Sequence, residues 1–304
     1  MITTEGLTRR FGSVLAVDGV TLEIPDGEVF GLLGPNGAGK TTTLRMLAGL
    51  IGVTAGRAVV DGLDVRDPAQ AAHVRARLGL LPEEPGLYPD LTVRGTLEFF
   101  ARLQHVRDRA SRIDALLERL ALTDRAEARV ATLSKGLKQR LALARALVND
   151  PSIVFLDEPT ANLDPAASQE VRGIIAELRD RGCTVVLNTH RLEEVERTCD
   201  RVGILRTRLL TIAEPRALRR SLGSAPAVIS VERVEQSLVD AVSRALGVTP
   251  EVRDHTLRVE IDSGRTMADV VRAVVEAGGR VTRALVDEGT LEDAYLEVLN
   301  DAAR

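Results

Sequence analysis

The chain has no tryptophan, two tyrosines and five phenylalanines among its 304 residues, so an aromatic outside a core needs a specific reason. Cysteine is almost as scarce. Cys183 and Cys199 share no metal-type spacing and build no disulfide framework, which points to a reducing compartment. Cys183 is expected to pack at the start of a strand. Long apolar runs are missing too: no window reaches the roughly 18 uninterrupted residues of a membrane span. The start, Met1-Ile2-Thr3-Thr4-Glu5, lacks the basic-then-apolar layout of a signal peptide. These absences predict a cytosolic chain, with any membrane role coming through a partner. An excess of positive charge is also lacking. A net charge of −4 and a pI near 5.7 argue against a broad nucleic-acid footprint. Lysine itself is rare: of 40 basic residues, only Lys40, Lys135 and Lys138 are not arginine.

What is present is organised around one stretch. Val29 to Leu33 is a short apolar run that reads as a buried strand, followed by a glycine-rich loop and a helix-forming segment, Thr41 to Leu50. Gly34 to Thr41 fits G-x-x-x-x-G-K-[ST], a phosphate-binding loop. Its glycines, Gly34, Gly37 and Gly39, let the backbone bring N–H groups close to an anion. The following helix points its positive end at the same place. Gly34, Pro35, Asn36, Gly37, Ala38, Gly39, Lys40, Thr41 and Thr42 are the candidate nucleotide contacts. Lys40 supplies charge for the β- and γ-phosphates and the Thr41 hydroxyl is placed to hold Mg²⁺. A plain glycine turn before a helix is the bland alternative. Strand, loop, Lys-Thr and helix in the required order weigh against it.

In chain order, Ile2–Leu7 and Val20–Ile24 read as short strands, the second ending at the turn Pro25-Asp26-Gly27. Phe11, between them, is expected in a loop, where stacking on a flat base and core packing are both open. Ala58–Val60 reads as a strand, Ala71–Leu78 as helical and Leu78–Leu81 as a buried strand. From Thr92 to about Ala128 the apolar spacing is helical. Thr132 to Leu137 interrupts it, and a helix resumes from Leu137 to Val148. Ser152–Leu156 is an apolar strand running into Asp157-Glu158-Pro159-Thr160. A helix over about Ala166–Arg181 and a strand, Thr184–Leu187, follow, the latter leading to Asn188-Thr189-His190. Strands alternating with helices imply a mostly parallel sheet covered on both faces, with ligands beyond the carboxyl ends of its strands. Lys40, Asp157, Glu158 and His190 are expected to converge there.

Composition shifts at Ser221–Pro226, a candidate linker. Beyond it the order is β-α-β-β-α-β plus a helix, the ferredoxin-like arrangement. The chain is thus expected to be α/β over residues 1–220 with a small α+β domain over 225–304.

Asp157, at the end of an apolar strand, suits Mg²⁺ directly or through water. Glu158 is positioned as the general base for an attacking water. His190 ends a strand of the same sheet and is read as a γ-phosphate contact rather than a structural histidine; His73, His105 and His255 have no such setting and read as surface residues. Ser134-Lys135-Gly136 opens a helix and offers a second anion site, although alone it is only an N-cap with a glycine.

Taken together, residues 1 to about 215 resemble the nucleotide-binding subunit of an ABC transporter. Gly34–Thr41 matches Walker A, Leu133-Ser134-Lys135-Gly136-Leu137 resembles the LSGGQ signature, and Ile153–Glu158 matches Walker B. Asn162-Leu163-Asp164 resembles the D-loop, and His190 the switch histidine. Phe11 stands where this family stacks an aromatic on adenine. The resemblance implies ATP and Mg²⁺ as ligands and ATP hydrolysis as the activity. It also implies a head-to-tail homodimer, in which Ser134 and Gly136 of one copy face the ATP held by the other. A helical subdomain, about 86–148, would meet an integral membrane permease on the inner face of the cell membrane. Glu83 aligns with the Q-loop glutamine and, through it, with the metal. That substitution, Lys135 and Leu137 in the signature, Leu87-Tyr88-Pro89 and Leu291–Glu297 are similar to the ABC-2 branch that exports drugs, antibiotics and sodium. A soluble ABC ATPase acting on ribosomes or DNA is the rival. Such factors carry two motif sets, long coiled-coil insertions or zinc insertions, and this chain has none of these.

Overall fold

The computed structural model describes residues 1–161, 163–220, 226–261, 265–287 and 289–302. Asn162 of the expected D-loop and most of the expected linker, 221–225, lie outside the described residues. The chain divides into two compact units, Met1–Pro215 and Arg216–Arg304.

The first unit opens with β1 (Ile2–Phe11), β2 (Val14–Ile24), β3 (Val29–Leu33), α1 (Lys40–Leu47), β4 (Ala55–Val60), β5 (Leu63–Asp64), α2 (Pro68–Arg77) and β6 (Leu78–Leu81). It continues with α3 (Val93–Leu103), α4 (Arg109–Arg119), α5 (Lys135–Ala146), β7 (Ile153–Asp157), α6 (Pro165–Asp180), β8 (Thr184–Asn188), α7 (Leu192–Thr198), β9 (Arg201–Arg206) and β10 (Arg208–Ala213). A six-stranded sheet runs β10-β9-β3-β8-β7-β6, parallel except at β10. Its central strands β3, β7 and β8 are buried at every position, which explains why they read as continuous apolar runs rather than as alternation. An antiparallel sheet, β2-β1-β4-β5, forms a second layer. Leu44, Met46 and Leu47 of α1 pack in one core with Ile2, Leu7 and Val60 of that sheet and Phe30, Phe155 and Val186 of the parallel one.

Two expectations change here. β1 and β2 are long strands that pair through Phe11 and Val14, so Phe11 ends a strand instead of lying in a loop. Gly6, inside the expected strand Ile2–Leu7, is a bulge position at φ 57°, where the pairing register shifts between Thr4 and Leu7. The helical pattern from 92 to 128 is not one helix. It is α3 and α4, separated where His105 and Asp108 take positive φ, and then short 3₁₀ turns at Thr123–Arg125 and Val130–Thr132.

A helix α8 (Pro215–Arg220) spans the boundary between the units. The second unit contains β11 (Ala227–Val231), α9 (Gln236–Leu246), β12 (Glu251–Arg253), β13 (Thr256–Val259), α10 (Met267–Glu276), β14 (Val281–Val286) and α11 (Leu291–Asp301). The sheet order β12-β13-β11-β14, antiparallel throughout, is the ferredoxin-like topology. Alternating residues of β11 and β13 pack with Leu238, Val239 and Val242 of α9 and Val270 and Val274 of α10 in a separate core.

Candidate functional site

β3 delivers the chain to the carboxyl edge of the parallel sheet, where the phosphate-loop sequence turns back into α1. Gly39 is the N-cap of α1 at φ 96°, and a Cβ there would stand 2.4 Å from the Ala16 carbonyl oxygen. Only glycine satisfies both constraints. The Lys40 side chain folds under the loop, its Nζ donating to the carbonyls of Gly34 at 2.6 Å and Pro35 at 3.2 Å. Burial pulls the Lys40 ammonium below its ordinary pKa, against the opposing pull of Glu158, Asp157 and Glu83.

Facing this loop are the ends of β7 and β8. The Thr41 hydroxyl donates to Asp157 Oδ2 at 3.0 Å, and Asn188 Nδ2 donates to Thr41 Oγ1 at 3.3 Å and to Asp157 Oδ1. Asn188 is the register partner of Asp157 across the β7–β8 ladder, so the sheet itself aligns the two. Burial raises the Asp157 pKa; Thr41 and Asn188 oppose that through hydrogen bonds, while Glu83 and Glu158 add to it. Glu158 follows at φ 51°, a sparsely populated conformation for a residue with a Cβ and one that recurs at functional sites. Its N–H donates to the Asn188 carbonyl at 2.8 Å, and the Gln139 amide caps its carbonyl at 3.3 Å. Glu158 Oε1 accepts from the His190 N–H at 3.0 Å and lies 2.7 Å from His190 Nδ1.

One open cleft joins these groups. It is lined by Asn36 to Thr42, Glu83, Glu84, Asp157, Glu158, Asn188 and His190, with Phe11 and Ala16 on the side of the antiparallel sheet. Phe11 is 44 % exposed, which removes the core-packing alternative, and the Arg9 guanidinium lies 4.4 Å from its ring centroid. Gly34 and Pro35 serve the cleft through the carbonyls that hold Lys40. Ser134, Gly136 and Asp164 do not line it. Ser134 caps α5, accepting from Leu137 N at 3.3 Å, and Asp164 caps α6, accepting from Ala167 N at 2.9 Å. His73, His105 and His255 are exposed, as expected.

Among the described residues no group of three His, Cys, Asp or Glu side chains is placed to hold a metal ion. A hard cation such as Mg²⁺ nevertheless fits the Thr41 hydroxyl and Asp157 carboxylate, since it takes few protein oxygens and completes its shell with water and phosphate.

Asn188, Gln139 and Thr189 escaped the motif reading. For Asn188 the available signal was a polar residue at the end of an apolar strand, two places before His190. Gln139 sits inside α5, and nothing in its local pattern marks a buried side chain.

Comparisons with known proteins agree with this arrangement. The family described as ABC transporter matches residues 17–161. The Nod factor export ATP-binding protein I of Burkholderia orbicola is 44 % identical over 223 residues, covering 72 % of this chain and 73 % of that protein. The daunorubicin resistance ATP-binding protein DrrA3 of Streptomyces coeruleorubidus is 36 % identical over 308 residues, covering 100 % and 97 %. Among solved structures, a dimeric ATP-binding cassette in a post-hydrolysis state bound to ADP and Pi matches with a TM-score of 0.66. It is 26 % identical and covers 70 % of this chain and 98 % of that one. An ATP binding subunit of an ABC transporter matches with a TM-score of 0.68 at 29 % identity, covering 73 % and 93 %. No helix among the described residues is long and apolar enough to cross a membrane. With full-length relatives above 30 % identity and a phosphate loop facing strand-end carboxylates, the chain belongs to the ABC transporter family, as one of its ATP-binding, ATP-hydrolysing members.

Proposed function

We propose that this chain is the ATP-hydrolysing subunit of an exporter, working as a pair of identical copies that drive a separate integral membrane permease. The observation that carries the chemistry is the contact of two pairs at the mouth of the phosphate loop: Thr41 with Asp157, and Glu158 with His190. Phe11 stacks on adenine at the rim. The loop from Gly34 to Thr42 holds the phosphates through backbone N–H groups, with Lys40 as the point charge. Thr41 and Asp157 hold Mg²⁺, which when bound offsets charge on the phosphate oxygens. Glu158 takes a proton from the attacking water. His190 orients that carboxylate and contacts the γ-phosphate of ATP. Glu83, in place of a neutral glutamine, adds a third carboxylate near the cation.

The pairing follows from what the cleft leaves out. Ser134 and Gly136 open α5 away from their own nucleotide site, and a second copy gives them a ligand: its ATP, with Asp164 beside that contact. The membrane partner and the direction of transport are supported by the relatives, one named for daunorubicin resistance and one for Nod factor export. Relatives of both names match along both units, and in this reading the cargo is a drug-like or other small molecule. In this reading the chain sits on the inner face of the cell membrane through its permease and binds no nucleic acid.

The test uses a tagged Glu158→Gln chain, trapped with ATP in its native host and purified from membranes. Mass spectrometry is expected to find a polytopic membrane protein in stoichiometric amount. Ribosomal proteins or repair factors with an empty membrane fraction would replace the exporter reading with a soluble one.

A further inference from the structure

Behind the Glu158–His190 pair lies a buried polar ring that the chemistry above does not use. Thr189, Thr160 and Glu194 are 0 %, 1 % and 2 % exposed. The Thr189 hydroxyl donates to Glu194 Oε2 at 2.9 Å and accepts from the Arg191 amide at 3.1 Å. The Thr160 hydroxyl accepts from Arg191 Nη1 at 3.1 Å. Glu194 Oε1 is buried with no partner within hydrogen-bond distance among the described residues. A full charge in that setting is costly, and burial pushes the Glu194 carboxyl up from its ordinary pKa. The ring touches the cleft at one point: Thr189 Oγ1 also lies 3.4 Å from Glu158 Oε2, the oxygen that His190 leaves alone. A threonine hydroxyl has one proton to give. It goes to Glu194 or to Glu158, not to both.

We propose that Glu194 is a positioning residue for Glu158 and acts through the Thr189 hydroxyl. While Glu194 accepts that hydroxyl, Glu158 Oε2 keeps its lone pairs for the proton of the attacking water. Without an acceptor at 194, the hydroxyl swings to Glu158 Oε2 and occupies the lone pairs that would take that proton. The inference rests on the reading of Glu158 as the base.

The test is steady-state ATP hydrolysis by the full chain, with binding of a fluorescent ATP analogue as the control for folding. Glu194→Met, which removes the acceptor, is expected to lower kcat about tenfold with KM within about twofold. Glu194→Val replaces it if the longer side chain does not fold. Glu194→Gln keeps an acceptor for Thr189 and is expected to lose less than about threefold. The decisive variant is the double one. Adding Thr189→Val to Glu194→Met removes the misdirected hydroxyl and is expected to restore most of the lost kcat, a suppression that a purely structural Glu194 cannot give. Unchanged kcat in Glu194→Met, or a double variant as slow as the single one or slower, overturns the proposal. Turnover persisting in Glu158→Gln instead removes the base assignment on which it stands, whatever the Glu194 variants do.

Discussion

Lys40 and Gly39 show how much of this site is decided by single side chains. The Lys40 ammonium is held at 8 % exposure by two carbonyls of its own loop, so it is already desolvated before any phosphate arrives. Gly39 makes that possible, because any side chain there meets the Ala16 carbonyl. Gly39→Ala is therefore expected to weaken ATP binding at least tenfold and to lower thermal stability, the backbone strain alone being about 1–2 kcal/mol; equilibrium binding and calorimetry on the variant check both. Glu158→Gln tests a different kind of residue. It keeps the shape and the hydrogen bonds to His190 but removes the basic oxygen, so turnover is expected to fall by about 10²–10⁴ while ATP affinity stays within about twofold. Turnover near that of the unaltered chain would remove Glu158 from its role. At this scale the sequence was most informative where a residue type is chemically irreplaceable. The glycines, lysine and threonine of the loop stand at fixed spacing because a phosphate imposes it. Asn188 and Gln139 were hidden because their work depends on which strand or helix lies opposite, and spacing along one chain does not carry that.

Among the elements, the helix α5 and the short helix α7 matter most to function. α5 begins two residues earlier than its apolar pattern predicts, because the Ser134 hydroxyl satisfies the Leu137 N–H and lets Lys135 and Gly136 join the first turn. Ser134→Ala is expected to cost about 1 kcal/mol through the lost cap and, in the paired form, to weaken ATP-dependent association as well. Thermal unfolding of the isolated chain and the ATP concentration needed for pairing separate the two effects. α7 carries Glu194, whose carboxyl burial raises above its ordinary value of 4.5. A raised folded pKa means that the folded chain holds this proton better than the unfolded one. The stabilisation is present in full below the ordinary value and is lost as pH rises through the folded one. Glu194→Gln cannot ionise, so its Tm relative to the unaltered chain is expected to rise with pH across that window; a difference independent of pH contradicts this. Of the six-stranded sheet, β3, β6, β7 and β8 were legible as apolar runs, whereas β9 and β10 were not read. β1 and β2 were legible only in part, as Ile2–Leu7 and Val20–Ile24, since their bulges place glycines and polar residues where a strand pattern should continue.

The whole molecule is two units with separate cores, and the division of labour follows their contents. Every residue that lines the nucleotide cleft belongs to the first. The β-α-β-β-α-β order of the second was readable because its elements are short and its helices α9 and α10 and strands β11 and β13 each bury one face. Its topology then follows from the pairing of β11 with both β13 and β14. Within one copy Ser134 and Gly136 only open a helix, and the proposed pairing gives them a ligand through a second copy. The most direct measurement is therefore the mass of the purified Glu158→Gln chain in solution, with and without ATP and Mg²⁺. The account predicts the 32.8 kDa chain without nucleotide and twice that mass with it, the shift disappearing when Ser134→Ala or Lys40→Ala is added. A chain that binds ATP tightly and keeps its monomer mass at every protein concentration would contradict the shared-site mechanism.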